Sequence, residues 1–169
     1  MAETTVEVFS VKNDDAEFEK LKHELGNKEI RSSDQELVMQ TTIRNFTKGN
    51  VHPIEKHFWH GRNLSFWENA LWPNSGFTAT QQGTLPQGVK FGLVYADGHD
   101  TTARKFVVAF DSASGKAYAE ARPIGPVDWN VVEVKLGMAG EKTDYSDPIL
   151  GGRTVAEISG VNAFATFYN

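Results

Sequence analysis

"ELVMQTTIRNFT", residues 36–47, alternates between two kinds of side chain along an extended segment. Leu37, Met39 and Ile43 fall on one face of the backbone, and Gln40 and Arg44 fall on the other. Alternation of this kind is typical of a half-buried β-strand. The segment therefore predicts that the chain folds with a sheet covering an apolar core.

Several later stretches share this strand composition, and turn signals separate them. Asp97-Gly98 and Ser114-Gly115 are dipeptides typical of tight turns. Residues 129–137 also alternate and are predicted to be a strand, with Trp129 buried at its start. Gly160 separates the last two predicted strands. These later strands are "GVKFGLVYADG", "ARKFVVAFDSASGKAYAEAR", "WNVVEVKLG", "GRTVAEISG" and "VNAFATFYN".

One helix is predicted near the amino terminus, over about residues 15 to 25. Asp14 followed by Glu17 has the form of a capping box, and Gly26 stands where a left-handed residue closes a helix. Apolar side chains repeat there at helical spacing: Phe18, Leu21 and Leu25.

Short strands joined by glycine-containing turns, without a helix between successive strands, favour antiparallel pairing over a parallel α/β sheet. We therefore expect a mainly β protein, an antiparallel β-sandwich with the short N-terminal helix packed at its edge. The chain has no internal repeat and no linker-like segment, so residues 1–169 are predicted to form a single domain.

Composition excludes several classes of function. The chain has 17 Lys and Arg against 22 Asp and Glu, a net charge of −5 that does not favour nucleic acid as a partner. It has no cysteine, which excludes disulfides and thiolate metal sites. The first residues lack the basic and apolar regions of a signal peptide, and we expect a cytoplasmic protein.

The stretch "FWHGRNLSFWENALW", residues 58–72, contains three of the four tryptophans. Phe58 falls on the core face of a predicted strand that ends at Gly61. The other aromatic residues admit three interpretations: packing of a long loop, stacking on a sugar or lipid headgroup, or a protein-partner surface. The candidate ligand-binding residues are Trp59, His60, Arg62, Asn63, Trp67, Asn69 and Trp72.

The order of several motifs resembles the small jasmonate-induced proteins of plants. It runs "TIRNFT", "HFWHGR", "QQGTLPQG", "FGLVYADG", "KFVVAFDS" and "KAYAE", over roughly residues 37–122. More distantly the layout is similar to aegerolysins and other actinoporin-like sandwiches. The resemblance implies a stress- or defence-associated sandwich without enzymatic activity, and it implies no catalytic residues.

Metal and cofactor sites are weakly indicated. His52, His57 and His60 lie within nine positions, but His57 and His60 would point to opposite sides of a strand. No glycine-rich phosphate loop is present. We therefore predict no metal and no cofactor.

A hydrolase is the alternative class of function. No nucleophile elbow of the form Gly-x-Ser-x-Gly occurs. Two groups of residues could still supply an acid, a base or a nucleophile: Ser112 and Ser114 beside Asp111, and Asp97, His99 and Asp100 in "ADGHD".

The residue patterns therefore predict a binding protein, and the resemblance implies that it is non-enzymatic and belongs to a plant stress or defence response. Its ligand is expected to be a carbohydrate or a lipid headgroup. A protein-interaction module, with a protein partner or a second copy of the chain, remains open beside it, as does the hydrolase.

Overall fold

The computed structural model of the chain describes residues 9–10, 19–20, 35–65 and 70–169. Within them the chain forms eleven strands and one complete helix, so the fold is mainly β as predicted. The elements are β1 (Phe9–Ser10), β2 (Glu36–Phe46), β3 (His52–His60), β4 (Arg62–Asn63), β5 (Ser75–Thr84), β6 (Lys90–Ala96), β7 (Arg104–Asp111), β8 (Lys116–Pro123), α1 (Trp129–Met138), β9 (Lys142–Ser146), β10 (Arg153–Ser159) and β11 (Asn162–Tyr168).

The N-terminal helix predicted over about residues 15 to 25 lies outside the described residues, apart from Glu19 and Lys20. These two have helical backbone and are exposed. The described helix, α1, instead lies late in the chain between β8 and β9.

The described strands form two sheets. The larger has seven strands in the order β1-β5-β2-β11-β10-β9, and β4 pairs with β5 beside β1. The smaller has four strands in the order β3-β6-β7-β8. Pairing is antiparallel except between β2 and β11, which run parallel with Gln40 opposite Asn162. The predicted antiparallel pairing therefore holds among the described strands except at this one pair, since β11 lies between β10, with which it pairs antiparallel, and β2.

Both sheets contribute to one apolar core. Phe167 of β11 lies with its ring centroid 5.4 Å from Tyr95 of β6 and 5.1 Å from Phe106 of β7. All three side chains are fully buried. Phe58 of β3 packs against the same core, stacked on Phe91 at 5.2 Å, as its place in the alternating pattern predicted.

Strand β2 is buried along both faces and not half-buried as predicted. The polar side chains on its second face can be buried because they form hydrogen bonds with side chains of the neighbouring strands. The Arg44 guanidinium donates to the Thr166 hydroxyl at 2.8 Å, and the hydroxyls of Thr42 and Thr78 are hydrogen bonded at 2.9 Å.

Residues 129–138 form helix α1, so the prediction of a strand there is wrong. Asp128 is the helix N-cap, and its carboxylate accepts hydrogen bonds from the backbone N–H groups of Asn130 and Val131. The side chains one turn apart, Val132 and Leu136, are buried. No helix among the described residues is long and apolar enough to cross a membrane.

Helix α1 covers the outer face of the four-stranded sheet. Val132 and Leu136 pack with Val94, Val107 and Ala109 in a second apolar cluster. The Trp129 ring at the start of the helix is partly buried at the edge of this cluster, and it was predicted to be buried in a strand. Three residues of β3, Glu55, His57 and Trp59, therefore contact the Trp129 side chain at the start of this helix.

Candidate functional site

A pocket of about 460 Å³ lies at the corner where the chain passes from one sheet to the other. Strand β3 of the four-stranded sheet ends at His60, and β4, which begins at Arg62, pairs with β5 of the larger sheet. The volume falls within the range of about 300 to 1,000 Å³ found for small-molecule sites. We call this cavity the corner pocket; its side chains are those of Glu36, Trp59, His60, Arg62, Gln82, Thr84 and Gln87.

Glycines 61, 83 and 88 put backbone instead of side chains on the pocket wall. Gly61 has a φ of +86°, and a Cβ there would stand 2.7 Å from the Gln82 carbonyl oxygen. A Cβ on Gly83 would stand 2.0 Å from the Gly88 carbonyl oxygen. Larger residues would push these strands apart, so the crossing at Gly61 depends on glycine.

Arg62 is held beside the pocket by a buried amide. Its Nη2 donates to Oε1 of Gln82 at 2.9 Å, and Gln82 is only 8% exposed. The neighbouring Gln81 is fully buried and accepts a hydrogen bond from the Thr41 hydroxyl at 2.7 Å. Gln82 therefore gives the pocket a polar wall at which the Arg62 guanidinium is positioned before any ligand arrives.

Trp59 forms the aromatic wall of the pocket. Its ring meets Trp129 edge to face at 5.9 Å and His57 at 4.9 Å. The Lys90 ammonium lies 5.6 Å from the ring centroid and pairs with Glu133 at 2.7 Å. These contacts fix the ring.

The predicted ligand-binding residues do not form one site. Trp59, His60 and Arg62 meet in the corner pocket. Asn63 lies next to Arg62 on β4, where its side-chain amide donates to the Ser65 carbonyl oxygen. Trp67 and Asn69 lie outside the described residues. Trp72 lies at the opposite end of β5 from the pocket.

Trp72 is separated from the pocket by the length of β5. The Ser75 hydroxyl donates to the Trp72 carbonyl oxygen at 2.6 Å, which places Trp72 at the start of that strand. Thr84 of the pocket is its last residue. Nine steps of extended chain correspond to roughly 30 Å, so one small ligand cannot contact both Trp59 and Trp72.

Trp72 instead shares its end of the larger sheet with Ile149 and Leu150. Ser75 of β5 pairs with Asn45 of β2, and Arg153 of β10 pairs with Tyr168 of β11. Because Tyr168 in turn lies opposite Phe46, the residue after Asn45, both pairs stand at the same end of the sheet. The exposed fractions are 49% for Trp72, 73% for Ile149 and 39% for Leu150. We call these three side chains the tip surface; β5 and β10 are three strand spacings, about 15 Å, apart.

The turn that carries Ile149 and Leu150 is held by Asp147. Its carboxylate oxygens accept hydrogen bonds from the backbone N–H groups of Ile149 and Leu150, both at 3.1 Å. Its own N–H donates to the Gly152 carbonyl oxygen at 2.9 Å. Asp147 is 6% exposed, so a buried carboxylate fixes a turn that points two large apolar side chains outward.

Sequence reasoning missed Ile149 and Leu150, although a signal was present. In "DPILGG", residues 147–152, turn-forming residues stand on both sides of two large apolar residues. That pattern predicts an apolar turn tip. Gln82 and Glu36 of the pocket carried no comparable signal, since only strand pairing brings them beside Arg62.

The residues considered for a hydrolase make local structural hydrogen bonds. Ser114 donates to the Asp111 carboxylate at 2.8 Å within the β7–β8 turn, and the Ser112 hydroxyl accepts from the Val89 N–H at 2.8 Å. Asp97 pairs with Arg104 at 2.7 Å. Asp100 accepts from the Thr102 hydroxyl.

The three clustered histidines lie in different surroundings. His52 faces His99, with ring centroids 4.3 Å apart. His57 stacks on Trp129, and His60 lines the corner pocket. Over residues 35–65 and 70–169, and the four described residues before them, no three His, Asp or Glu side chains are grouped so that they could hold a metal ion.

Burial lowers the pKa of His52, and the neighbouring His99 lowers it further, while Asp97 acts in the opposite direction. Its Nε2 atom is buried and has no hydrogen-bond partner among the described residues. A neutral imidazole suits this position better than a charged one.

Comparison with known proteins gives a likeness of fold. No protein-family model matches the chain, and no curated protein sequence does so. Among solved structures, the chain is similar to the lipid binding protein Nakanori, with a TM-score of 0.64 and 13% identity over 91% of this chain and 77% of that one. A weaker similarity, with a TM-score of 0.42 and 15% identity, links 78% of this chain with 90% of IP-1A from Alcaligenes faecalis. At such identity the first likeness shows a shared fold alone.

Proposed function

We propose that the protein is a non-enzymatic binding protein that docks on a lipid surface through its tip surface. The observation that carries the proposal is the exposure of Trp72, Ile149 and Leu150 at one end of the larger sheet. The likeness of fold to a lipid binding protein supports the same assignment.

The chemistry of the tip surface suits the boundary between headgroups and acyl chains. Burial of a large aliphatic side chain stabilises by about 1.5 to 3 kcal/mol relative to leaving it in water. Tryptophan is enriched at membrane interfaces because its ring is apolar and its N–H is polar. Since Asp147 already holds the turn, little further ordering is needed when Ile149 and Leu150 enter the lipid.

Charge should contribute little to this binding. The chain carries a net charge of −5, which does not favour an anionic surface. We therefore expect vesicles of phosphatidylcholine to bind about as well as vesicles with added phosphatidylserine. Salt should also have little effect, since apolar contacts are not screened.

The architecture that presents these residues is a β-sandwich in this proposal, with residues 1–169 as one domain. The contacts of Phe167 with Tyr95 and Phe106 support face-to-face packing of the two sheets. The hydrogen bonds of Ser114 and Asp97 support structural roles for residues that a hydrolase would need as catalysts.

Vesicle co-sedimentation tests the proposal. The double variant Ile149→Ser with Leu150→Ser should bind phosphatidylcholine vesicles at least about 10-fold more weakly, because two inserted apolar groups are lost. Val134→Ser is the matched control: this side chain is 64% exposed on α1, away from the tip surface. Full binding by the double variant, or an equal loss in Val134→Ser, would contradict the proposal.

A further inference from the structure

We propose that the corner pocket is a second, independent site that binds a neutral sugar. Its side chains combine an aromatic ring, two primary amides, a guanidinium and a carboxylate. This combination lies at the opposite end of β5 from the tip surface, so the site goes beyond the lipid-docking function.

The polar groups lining the pocket match hydroxyl groups. Arg62 only donates, Glu36 accepts when ionised, and the amides of Gln82 and Gln87 do both. Sugar hydroxyls are donors and acceptors at once and can satisfy such a mixed set. An inorganic anion fits less well, because the Glu36 carboxylate shares the pocket with the Arg62 guanidinium.

The aromatic wall suits the apolar face of a sugar ring. Trp59 is partly buried, and contacts with Trp129, His57 and Lys90 hold its ring in place. A fixed indole can pack against the C–H groups of a pyranose without first losing rotamer freedom. The other walls then meet the hydroxyl groups.

The hydrogen bond from Arg62 to the buried Gln82 indicates that this site is positioned in advance. Gln82 is more than nine-tenths buried, and its amide oxygen fixes the guanidinium at the pocket wall. A surface arginine with no role beyond solvation does not need a buried partner. Placing polar groups in advance is typical of sites that discriminate ligands by hydrogen bonding.

The sugar site can be tested by ¹H–¹⁵N NMR of the full chain, following the indole N–H signals of its four tryptophans. Substitution of each tryptophan by phenylalanine assigns them. The ligands are methyl α-glucoside, methyl β-galactoside, methyl α-mannoside and N-acetylglucosamine, with sodium phosphate as the anionic comparison. At least one neutral sugar should shift the Trp59 signal saturably, with a dissociation constant of about 1 to 10 mM, and leave the Trp72 signal unchanged.

Arg62→Ala should weaken sugar binding by about 10-fold or more, and Arg62→Lys should not restore it, since lysine lacks the planar fork. Arg153→Ala, at the opposite end of the larger sheet, should bind as the wild type does. Three results would overturn the sugar site: no saturable shift of Trp59 with any of the four sugars, tighter binding of phosphate than of every sugar, or full sugar affinity in Arg62→Ala. Because no vesicle is present, failure of lipid docking would not affect this outcome.

Discussion

The indole ring of Trp129 lies directly on the backbone of Gly92. A Cβ atom at position 92 would stand 2.3 Å from Cζ3 of the indole. The Nε1 atom of the same ring donates to the Glu55 carboxylate at 2.8 Å, and its face stacks on His57 at 5.3 Å. The start of helix α1 is thereby fixed to β6 and to β3, the strand that carries Trp59, one wall of the corner pocket.

Replacement of Gly92 by alanine should therefore destabilise the protein by about 1 to 3 kcal/mol, because the added methyl group must displace a packed ring. Urea unfolding measures the change. Gly137→Ala is the matched control: apart from its chain neighbours and its own helix backbone, nothing lies within 4 Å of a Cβ at that position. Alanine there should stabilise the helix by about 0.5 to 1 kcal/mol. In a Trp129→Ala background the cost of Gly92→Ala should disappear, and a cost that persists would refute the contact as its cause.

The tryptophans should differ in their contribution to stability. Trp129→Ala removes a hydrogen bond, a stacked contact and an edge of the second apolar cluster, and should cost about 2 to 4 kcal/mol. Trp72→Ala should cost less than about 1 kcal/mol, since half of that side chain is in solvent. The denaturation midpoints of the two variants decide the matter, and equal losses would show that Trp72 is a packing residue.

Stability should fall as the pH drops below the ordinary pKa of histidine. The pKa of His52 is lowered in the folded protein, mainly by burial, so the unfolded chain takes up the proton first. The loss should begin near the unfolded value of about 6.5 and level off below the folded pKa. Melting temperatures between about pH 8 and pH 5 should decline less in His52→Phe than in the wild type. Parallel declines in the two proteins would assign the effect to other groups.

The β7–β8 hairpin and the β10–β11 hairpin were predictable because their signals are local. Ser114-Gly115 and Gly160 mark the turns, and the flanking strands alternate or are continuously apolar. Gly115 and Gly160 do adopt positive φ values. Local chemistry thus determined these parts of the fold.

Helix α1 was not predictable from its apolar pattern, because the valines of residues 129–137 alternate with polar residues as in a strand. Val131 and Val134 are exposed while Val132 and Leu136 are buried, so the helix carries apolar residues on two faces and imitates a strand. The N-cap residue Asp128 was the signal that could have identified it. The predicted plant origin and the stress or defence role depend on the resemblance alone and stay predictions.

The separation of the predicted binding residues between the two ends of β5 could not be read from the sequence. Trp59 and Trp72 are thirteen positions apart in the sequence, yet they lie at opposite ends of strand β5. Trp72 is hydrogen bonded to Ser75 at the start of β5, whereas Trp59 shares the corner pocket with Thr84 at its end. Ile149 joins Trp72 only through the register of four strands. Contacts of such long range depend on pairing that no short motif specifies.

The most direct test of lipid docking uses the absence of cysteine from the chain. A single cysteine at position 149 or at position 134 can carry an environment-sensitive fluorophore without a competing thiol. On addition of phosphatidylcholine vesicles, the label in Ile149→Cys should shift its emission to the blue as it enters the lipid, whereas the label in Val134→Cys should not change. A shift at position 134 with none at position 149 would contradict docking through the tip surface.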